Sequence, residues 1–568
     1  MFCQLLRYFA QRKATSPLIA RIKAQSALDQ QARSLSLITE AFGPDFAQAL
    51  QAAKGMSIAH FCKEALTTGP DELGKAWSVM SSRVLLRMAK EIHQSDSLKS
   101  RLLERDFALE AKDYLLKHYR EEWESALALA KITDLRLPHE WFPRARELTR
   151  RIEYHWGPTN SGKTHAALNR LKTATNGVYC GPLRLLATEV YERLNAAGVK
   201  CNLLTGQEKI AVQGATHTAC TIEMLDFDNY YDVAVVDEIQ MIADSDRGSA
   251  WTHALLGLPC TEIHLTGDER AKGIVTSLME STGDLLLMKE YKRLSPLTVQ
   301  PGISKLEDLR EGDCIVAFSR KTCHRLRSLI EKRFKCSIIY GNLPPETRRV
   351  QARRFNDREN AQVLVATDAI GLGLNYNISR VVFFETEKND GKKVRPLTGY
   401  EIRQIAGRAG RHLQPGFVTA MDPEDCRRVK QAIEHKLSDT ALKRAALFPP
   451  FDQFQAFAND LQTHSNHTLT YSEILHKFAD LVHLDGQYFL QHMTDVVFLA
   501  QKLQHVPMAL KDVFTFTHAP VRVKIVSNVQ GIIRFAEDFQ MEKKVRLRTI
   551  RDKGDKLEKL EHTYFRNE

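Results

Sequence analysis

The run Ile152-Glu-Tyr-His-Trp156 leads directly into Gly157-Pro-Thr-Asn-Ser-Gly-Lys-Thr164, and His165-Ala-Ala-Leu-Asn-Arg-Leu171 follows with helix-compatible residues. A strand, a glycine-rich turn with GxxxxGK[ST] spacing and a helix, in that order, make a phosphate-binding loop. Gly157 and Gly162 let the backbone curl, so that N–H groups of the loop running through Pro158, Thr159, Asn160 and Ser161 point at phosphate oxygens. Lys163 reaches the β- and γ-phosphates, and the Thr164 hydroxyl can hold Mg²⁺. The chain is expected to bind a nucleoside triphosphate.

A phosphate loop alone is shared by kinases, GTPases and motors. Val233-Ala-Val-Val-Asp-Glu-Ile-Gln-Met241 narrows the choice, because an apolar strand there ends in two adjacent acids. Asp237 then sits at the carboxyl end of the sheet, where it can hold Mg²⁺, and Glu238 can orient and deprotonate an attacking water. That second carboxylate favours hydrolysis over phosphoryl transfer. Leu265-Thr-Gly-Asp268 closes another expected strand with groups suited to sensing the γ-phosphate, although alone it reads as a turn. Further on, Gln404-Ile-Ala-Gly-Arg-Ala-Gly-Arg411 places Arg408 and Arg411 on one helical face. Glycines between them permit close approach of a neighbouring domain, so either guanidinium could stabilise charge on a γ-phosphate held elsewhere.

At 568 residues the chain exceeds one core, since cores stop growing near ~250–300 residues. Short Val/Ile-rich runs alternate with helical stretches from 150 to about 430, the signature of parallel sheets with crossover helices. Expected strands include Asp232–Val236, Glu262–Leu265, Cys314–Phe318, Ser337–Tyr340, Gln362–Ala366 and Arg380–Phe384. Before that region, Leu103, Phe107, Ala111, Tyr114 and Leu115 recur at helical spacing. After about 435 the pattern is helical again. The expected architecture is α/β, with two tandem RecA-like parallel-sheet domains at 149–290 and 291–435, flanked by helical domains at 1–148 and 436–568.

A net charge of +11 suits a polyanionic partner without identifying one. No uninterrupted apolar run of about 18 residues suggests a membrane span. The ten cysteines, scattered from Cys3 to Cys426 without a CxxC pair, point to a reducing compartment and no structural metal. Residues 1–28 contain Arg7, Arg12, Lys13, Arg21 and Lys23 and no acid before Asp29, the composition of a mitochondrial presequence. A basic first helix of a bacterial protein fits the same residues.

The ordered set GPTNSGKT, DEIQ, TGD, VATDAIGLGLN (Val365 to Asn375) and QIAGRAGR resembles superfamily 2 helicases. GPLRLLATEVYERL (Gly181 to Leu194), TGQE (Thr205 to Glu208), CTIEM (Cys220 to Met224), YGNLPPETR (Tyr340 to Arg348) and LDGQYF (Leu484 to Phe489) are similar, more narrowly, to the mitochondrial degradosome RNA helicase family (SUV3-like) and its bacterial relatives. The resemblance spans residues 150 to about 530. It implies ATP-driven 3′-to-5′ unwinding of RNA, and of DNA in many members, feeding an exoribonuclease such as polynucleotide phosphorylase. Carried over by motif, Lys163, Thr164, Asp237 and Glu238 serve ATP and Mg²⁺, Gln240 couples the nucleotide to motion, and Gln404, Arg408 and Arg411 complete the site, with Arg411 as arginine finger. Asp368 and Gly371 are implied among the nucleotide-binding residues and link the two sites. Gln240 stands where many superfamily 2 enzymes carry His or Asp, in agreement with the narrower family. The location implied is the mitochondrial matrix or the bacterial cytoplasm. A translocase or DNA helicase, and an RNA-binding scaffold clamped by ATP, are the competing readings; the intact Lys163, Glu238 and Arg411 set argues against the scaffold.

Thr221, Thr367 and the pair Ser319-Arg320 follow apolar strands, where each alone would cap or turn the chain. Together they fit a track for a single-stranded backbone. Asn389-Asp390-Gly391, between Val381–Lys388 and Lys392–Thr398, signals a hairpin. Its cations Lys388, Lys392, Lys393 and Arg395 could meet nucleic acid and help to part strands. Deleting residues 388–395 is then expected to lower duplex unwinding more than ATP hydrolysis when both are assayed on one preparation, and equal losses would count against that role.

Overall fold

The computed structural model describes Lys117 and residues 120–541, apart from Gln207, Ser304, Asn342, 359–360, 372–375, 390–392, 411–412, 435–440, 464–467, Pro520, Arg522 and Lys524. Leu103, Phe107, Ala111, Tyr114 and Leu115, the presequence-like segment 1–28, and Arg411 therefore lie outside the described residues. The described chain forms two compact units: one spans Leu137–Phe448 and Gly486–His492, and the other takes the chain up to Arg136, Pro449–Asp485 and the chain from Met493.

The first unit carries two large sheets. One comprises β1 (Arg151–Trp156), β2 (Gly177–Gly181), β3 (Cys201–Leu204), β4 (Lys209–Ile210), β5 (His217–Thr221), β6 (Tyr231–Val236), β7 (Cys260–Gly267) and β8 (Leu285–Glu290), in the spatial order β4-β3-β5-β2-β6-β7-β1-β8. All pairings are parallel except β3 with β4. The other sheet comprises β9 (Leu297–Val299), β10 (Asp313–Val316), β11 (Cys336–Ile339), β12 (Val363–Ala366), β13 (Arg380–Phe383) and β16 (Gly416–Ala420), ordered β11-β12-β10-β13-β16-β9 and wholly parallel. A two-stranded antiparallel hairpin, β14 (Glu387–Asn389) with β15 (Val394–Pro396), projects between β13 and β16 in sequence.

Central strands such as β2, β10, β12 and β13, and the edge strand β11 as well, are buried along their whole length, because helices cover both faces of a parallel sheet. This is why they read as continuous apolar runs. Each expected strand is present within a residue or two of its anticipated ends, and no described cysteine forms a disulfide. Register places the chemistry. Trp156 pairs with Gly267, and Val236 pairs with Leu265, so the phosphate loop, the Asp237-Glu238 pair and Thr266-Gly267-Asp268 emerge from one edge of the first sheet, the crevice where ligands of such sheets bind.

The second unit is helical, with Arg120–Ile132, Phe451–Thr463, Tyr471–Leu481, Thr494–Leu503, Leu510–Thr517 and Val526–Gln540. Phe454, Phe457 and Phe478 are buried together, with Phe457 and Phe478 rings 5.2 Å apart edge to face. Thr470 and Glu473 form a capping box at the start of the Tyr471 helix. Helix was expected throughout from residue 436, yet β17 (Ala445–Leu447) and β18 (Tyr488–Leu490) pair in parallel and join the α/β unit. Three-residue strands leave too short an alternation to be seen in sequence.

The second sheet is pinned by a buried ion pair: Arg380 Nε donates to Asp313 Oδ1 at 2.9 Å, and its NH2 also reaches the Asp308 carbonyl at 3.1 Å. Asp313→Asn would leave the guanidinium buried without its counter-charge, a loss of about 3–5 kcal/mol. Denaturant unfolding should show a lower midpoint for this variant, and a midpoint equal to wild type would contradict the assignment.

A candidate nucleotide site between the two sheets

The turn after β1 is shaped by close packing. Gly157 adopts φ 152°, and a Cβ there would stand 2.2 Å from the Tyr291 carbonyl oxygen, so no side chain fits. Asn160 also takes a left-handed φ of 58°, an uncommon state that its surroundings impose. The Leu294 N–H donates to the Asn160 carbonyl at 3.0 Å, and Asn160 Nδ2 donates to Ser295 Oγ at 3.2 Å. Lys163 opens the helix Lys163–Lys172, and its ammonium donates to the Gly157 carbonyl at 2.8 Å and to Ser161 Oγ at 3.3 Å. Burial lowers its pKa, against the pull of Glu238 and Asp237, so the ammonium is poorly solvated and strongly attracts an anion.

Asp237 is buried and collects donors from four segments. Tyr179 of β2 donates its hydroxyl to Oδ2 at 2.8 Å, the Glu238 N–H reaches Oδ1 at 3.1 Å, and Thr266 of β7 also bonds Oδ1. Thr164 Oγ1 stands 3.4 Å from Oδ1. A hydroxyl and a carboxylate side by side are hard oxygen ligands suited to Mg²⁺. With both carboxylate oxygens already accepting bonds, such an ion would keep much of its water.

Glu238 has φ 55°, which turns its side chain away from the strand direction and into the cleft. Burial first, and the Asp237 charge second, raise its pKa, while Arg408 opposes them. That combination suits a general base. Gln240 Nε2 donates to Glu238 Oε2, and its Oε1 accepts from the Asp268 N–H at 3.3 Å, so one amide joins the acid pair to the end of β7. Asp268 in turn binds Arg270, whose guanidinium lies 3.1 Å from the ring centroid of Tyr400, on the helix Gly399–Ala406 that carries Gln404.

These groups line a cleft of about 1050 Å³, faced from the second sheet by Gln404 and Arg408. Arg408 NH2 donates to the Gly371 carbonyl, which brings the expected linking glycine to the site. Asp368 lies outside the cleft lining and takes an ion pair from Lys388 at 3.4 Å.

Two of the expected nucleic-acid contacts, Thr367 and Ser319, make local hydrogen bonds. Thr221 and Thr367 are buried, the Thr367 hydroxyl accepts from the Ala369 N–H at 3.2 Å, and Ser319 Oγ caps a helix by accepting from the Thr322 N–H at 3.0 Å. The hairpin forms, but two of its four cations do not point outward: Lys388 lies 2.6 Å and Arg395 2.9 Å from the Glu401 carboxylate. Burial would raise the Glu401 carboxyl, yet hydrogen bonds from Arg395 and Lys388 outweigh it and hold it below the ordinary range. Loss of the hairpin would take both cations from Glu401, which would keep only its capping bonds with Thr398 at the start of the Gln404 helix, a physical reason for hydrolysis to fall together with unwinding. Tyr179, Arg270, Tyr400 and Arg293 were not singled out from sequence; each acts through neighbours distant along the chain, and no local pattern marks them.

The sequence matches the DEXQ-box helicase domain of Suv3 over residues 138–291, the helicase conserved C-terminal domain over 301–413 and the Suv3 C-terminal domain 1 over 498–539. It is 45% identical over 425 residues to the mitochondrial DExH-box ATP-dependent RNA helicase DExH16 of Arabidopsis thaliana, covering 74% of this chain and 73% of that one. It is 43% identical to the mitochondrial ATP-dependent RNA helicase SUV3L of Oryza sativa subsp. japonica, covering 78% and 60%, and 42% identical to the mitochondrial ATP-dependent RNA helicase SUPV3L1 of Homo sapiens, covering 72% and 53%. The chain thus spans between about half and three quarters of these relatives' lengths.

Because Glu238 must be ionised to accept a proton and its pKa is raised, turnover should fall on acidification at a pH above the ordinary carboxylate range. Glu238→Gln should lower kcat by about 10²-fold or more. A pH–rate profile of wild type flat down to the usual carboxylate pKa, or near-normal turnover in the variant, would remove Glu238 from the role of base.

Proposed function

This chain belongs to the Suv3 family of ATP-dependent RNA helicases, and on that premise we propose that it hydrolyses ATP to move 3′ to 5′ along single-stranded RNA and displace the paired strand. The observation that carries this reading is the composite cleft, where the phosphate loop and acid pair of one sheet face Gln404 and Arg408 of the other. Lys163 and the loop N–H groups hold the phosphates, Glu238 takes the proton of the attacking water, and Arg408 brings positive charge from across the cleft. Mg²⁺ held through Thr164 and Asp237 would neutralise phosphate charge. Arg411, by its motif position, is the arginine finger.

Groups from two sheets must converge for hydrolysis, so nucleotide turnover and relative motion of the sheets are linked. Gln240 supports that link, since it touches both the base and Asp268, whose partner Arg270 stacks on Tyr400 of the second sheet's helix. We assign the strand track to the carboxyl edges bearing Thr221, Ser319, Arg320 and Thr367, with RNA as main substrate and DNA as a second. We further assign an exoribonuclease such as polynucleotide phosphorylase as acceptor of the unwound strand. The relatives' names support a mitochondrial location. No described helix is long and apolar enough to cross a membrane.

The direct test is displacement of a labelled strand from RNA duplexes with a 3′ or a 5′ overhang, beside matched DNA duplexes, for wild type and Glu238→Gln. Displacement from 3′-tailed RNA alone, lost in the variant, is expected. Displacement from 5′ tails would reverse the direction assigned, and hydrolysis without displacement would leave a translocase.

A further inference from the structure

We infer that Arg293, in the segment joining β8 to β9, is a positioning residue for ATP hydrolysis: its guanidinium fixes the phosphate loop against the turn that carries Arg408. This rests on the cleft being the hydrolytic site. The geometry is that of a latch. Arg293 NH1 donates to the Thr159 carbonyl at 3.2 Å and to the Gly407 carbonyl at 2.8 Å, NH2 donates to the Ala409 carbonyl, and Nε donates to the Ser295 carbonyl at 2.9 Å. One planar group therefore holds the phosphate loop, the linker and the residues on both sides of Arg408.

Two further observations point the same way. The approach it holds is close: a Cβ on Gly407 would lie 3.0 Å from Thr159 Cβ and Oγ1. The acceptors are also all backbone carbonyls, with no carboxylate among the described partners, and burial alone lowers the Arg293 pKa. A guanidinium kept for charge balance would sit beside an acid, as Arg380 does beside Asp313. Arg293 instead makes four bonds from a rigid fork to carbonyls of three segments, which an ammonium with three rotatable donors cannot reproduce. The nearby Asn160–Ser295 and Leu294–Asn160 bonds tie the same loop tip to the same linker. Displacing the linker thus shifts the loop and Arg408 relative to each other, and a misplacement of about 1 Å can lower a rate by as much as ~10²-fold.

The test is steady-state ATP hydrolysis with saturating single-stranded RNA by the full chain carrying Arg293→Lys, Arg293→Ala, Arg408→Ala or Arg293→Ala with Arg408→Ala, each checked for an intact thermal transition. Both Arg293 variants should lose kcat by about tenfold or more, with the KM for ATP changed by less than about threefold, because the loop still holds phosphate while Arg408 is misplaced. The double variant should be no slower than Arg408→Ala, since residues that act through one another are not additive. Wild-type kcat in Arg293→Lys would reduce the role to charge, a change confined to KM would reduce it to phosphate binding, and multiplicative losses in the double variant would separate Arg293 from Arg408; any of these overturns the assignment. If Arg293→Ala does not fold, Arg293→Lys alone and with Arg408→Ala carries the same comparison. Lys163→Ala serves as control: retained hydrolysis there would sink the reading of the cleft itself, a different failure.

Discussion

The carboxylate of Asp237 is the point at which the sequence-distant parts of the nucleotide site are fastened. It takes a hydroxyl from β2 through Tyr179, a hydroxyl from β7 through Thr266 and the N–H of Glu238, and it faces Thr164 at the head of the loop helix. Its own carbonyl accepts the indole N–H of fully buried Trp251 at 3.0 Å. Charge-assisted bonds of this kind are each worth about 1.5–3 kcal/mol, and a buried carboxylate without them would be untenable. The same bonds that permit burial also fix where a metal-binding oxygen and the neighbouring base must lie.

The linker that carries Arg293 is positioned by a chain of hydrogen-bonded side chains that ends in a carboxylate. Tyr291 meets His155 Nδ1 at 2.8 Å, His155 Nε2 meets His264 Nδ1 at 2.8 Å, and His264 Nε2 meets Glu262 at 2.8 Å. Glu262 accepts from His264 Nε2–H, so His264 Nδ1 accepts from His155 Nε2–H, and His155 Nδ1 accepts from the Tyr291 hydroxyl; each tautomer follows from the next. Burial, aided by His264, pushes the His155 pKa down to about 4, which keeps that imidazole neutral near pH 7. Tyr291 in turn presses its carbonyl against Gly157. Phosphate loop, linker and sheet interior thus form one connected arrangement, and the backbone states adopted at Asn160 and Glu238 are affordable because so many partners dictate them.

What could be read before the structure follows from range. The phosphate loop, the acids after β6 and the strands themselves depend on neighbours within about ten residues, so composition and spacing carried them. The composite role of Gln404 and Arg408 was legible, but Arg408 was expected on a helical face, whereas the helix ends at Ala406 and Arg408 lies in the turn beyond it, where the Gly371 carbonyl receives it. Tyr179 reads as one more buried strand residue until β2 and β6 are seen side by side, and Arg293 as a solvated linker cation until three segments converge on it. The hairpin erred in the opposite sense: Lys388 and Arg395 looked free because Glu401, their partner, lies beyond the next turn. Thr367 and Ser319 carry the local hydrogen bonds that isolated residues of their type would be assigned.

Among the described contacts that join the sides of the cleft, those of Arg293 and Arg270 differ in chemistry. Arg293 binds backbone carbonyls, which move only with the chain, through several charge-assisted bonds of about 1.5–3 kcal/mol each. Arg270 stacks on the side chain of Tyr400, a contact worth about 2 kcal/mol when desolvated, and it is held by Asp268, which also answers to Gln240 beside the base. The aromatic contact is supplemented by a hydrogen bond between the Tyr400 side chain and Asp268, so both fastenings have partners that touch the hydrolytic groups. Glu238, Gln240, Asp268, Arg270 and Tyr400 thus form one continuous set of contacts from the base to the helix that carries Gln404, separate from the carbonyls that Arg293 holds.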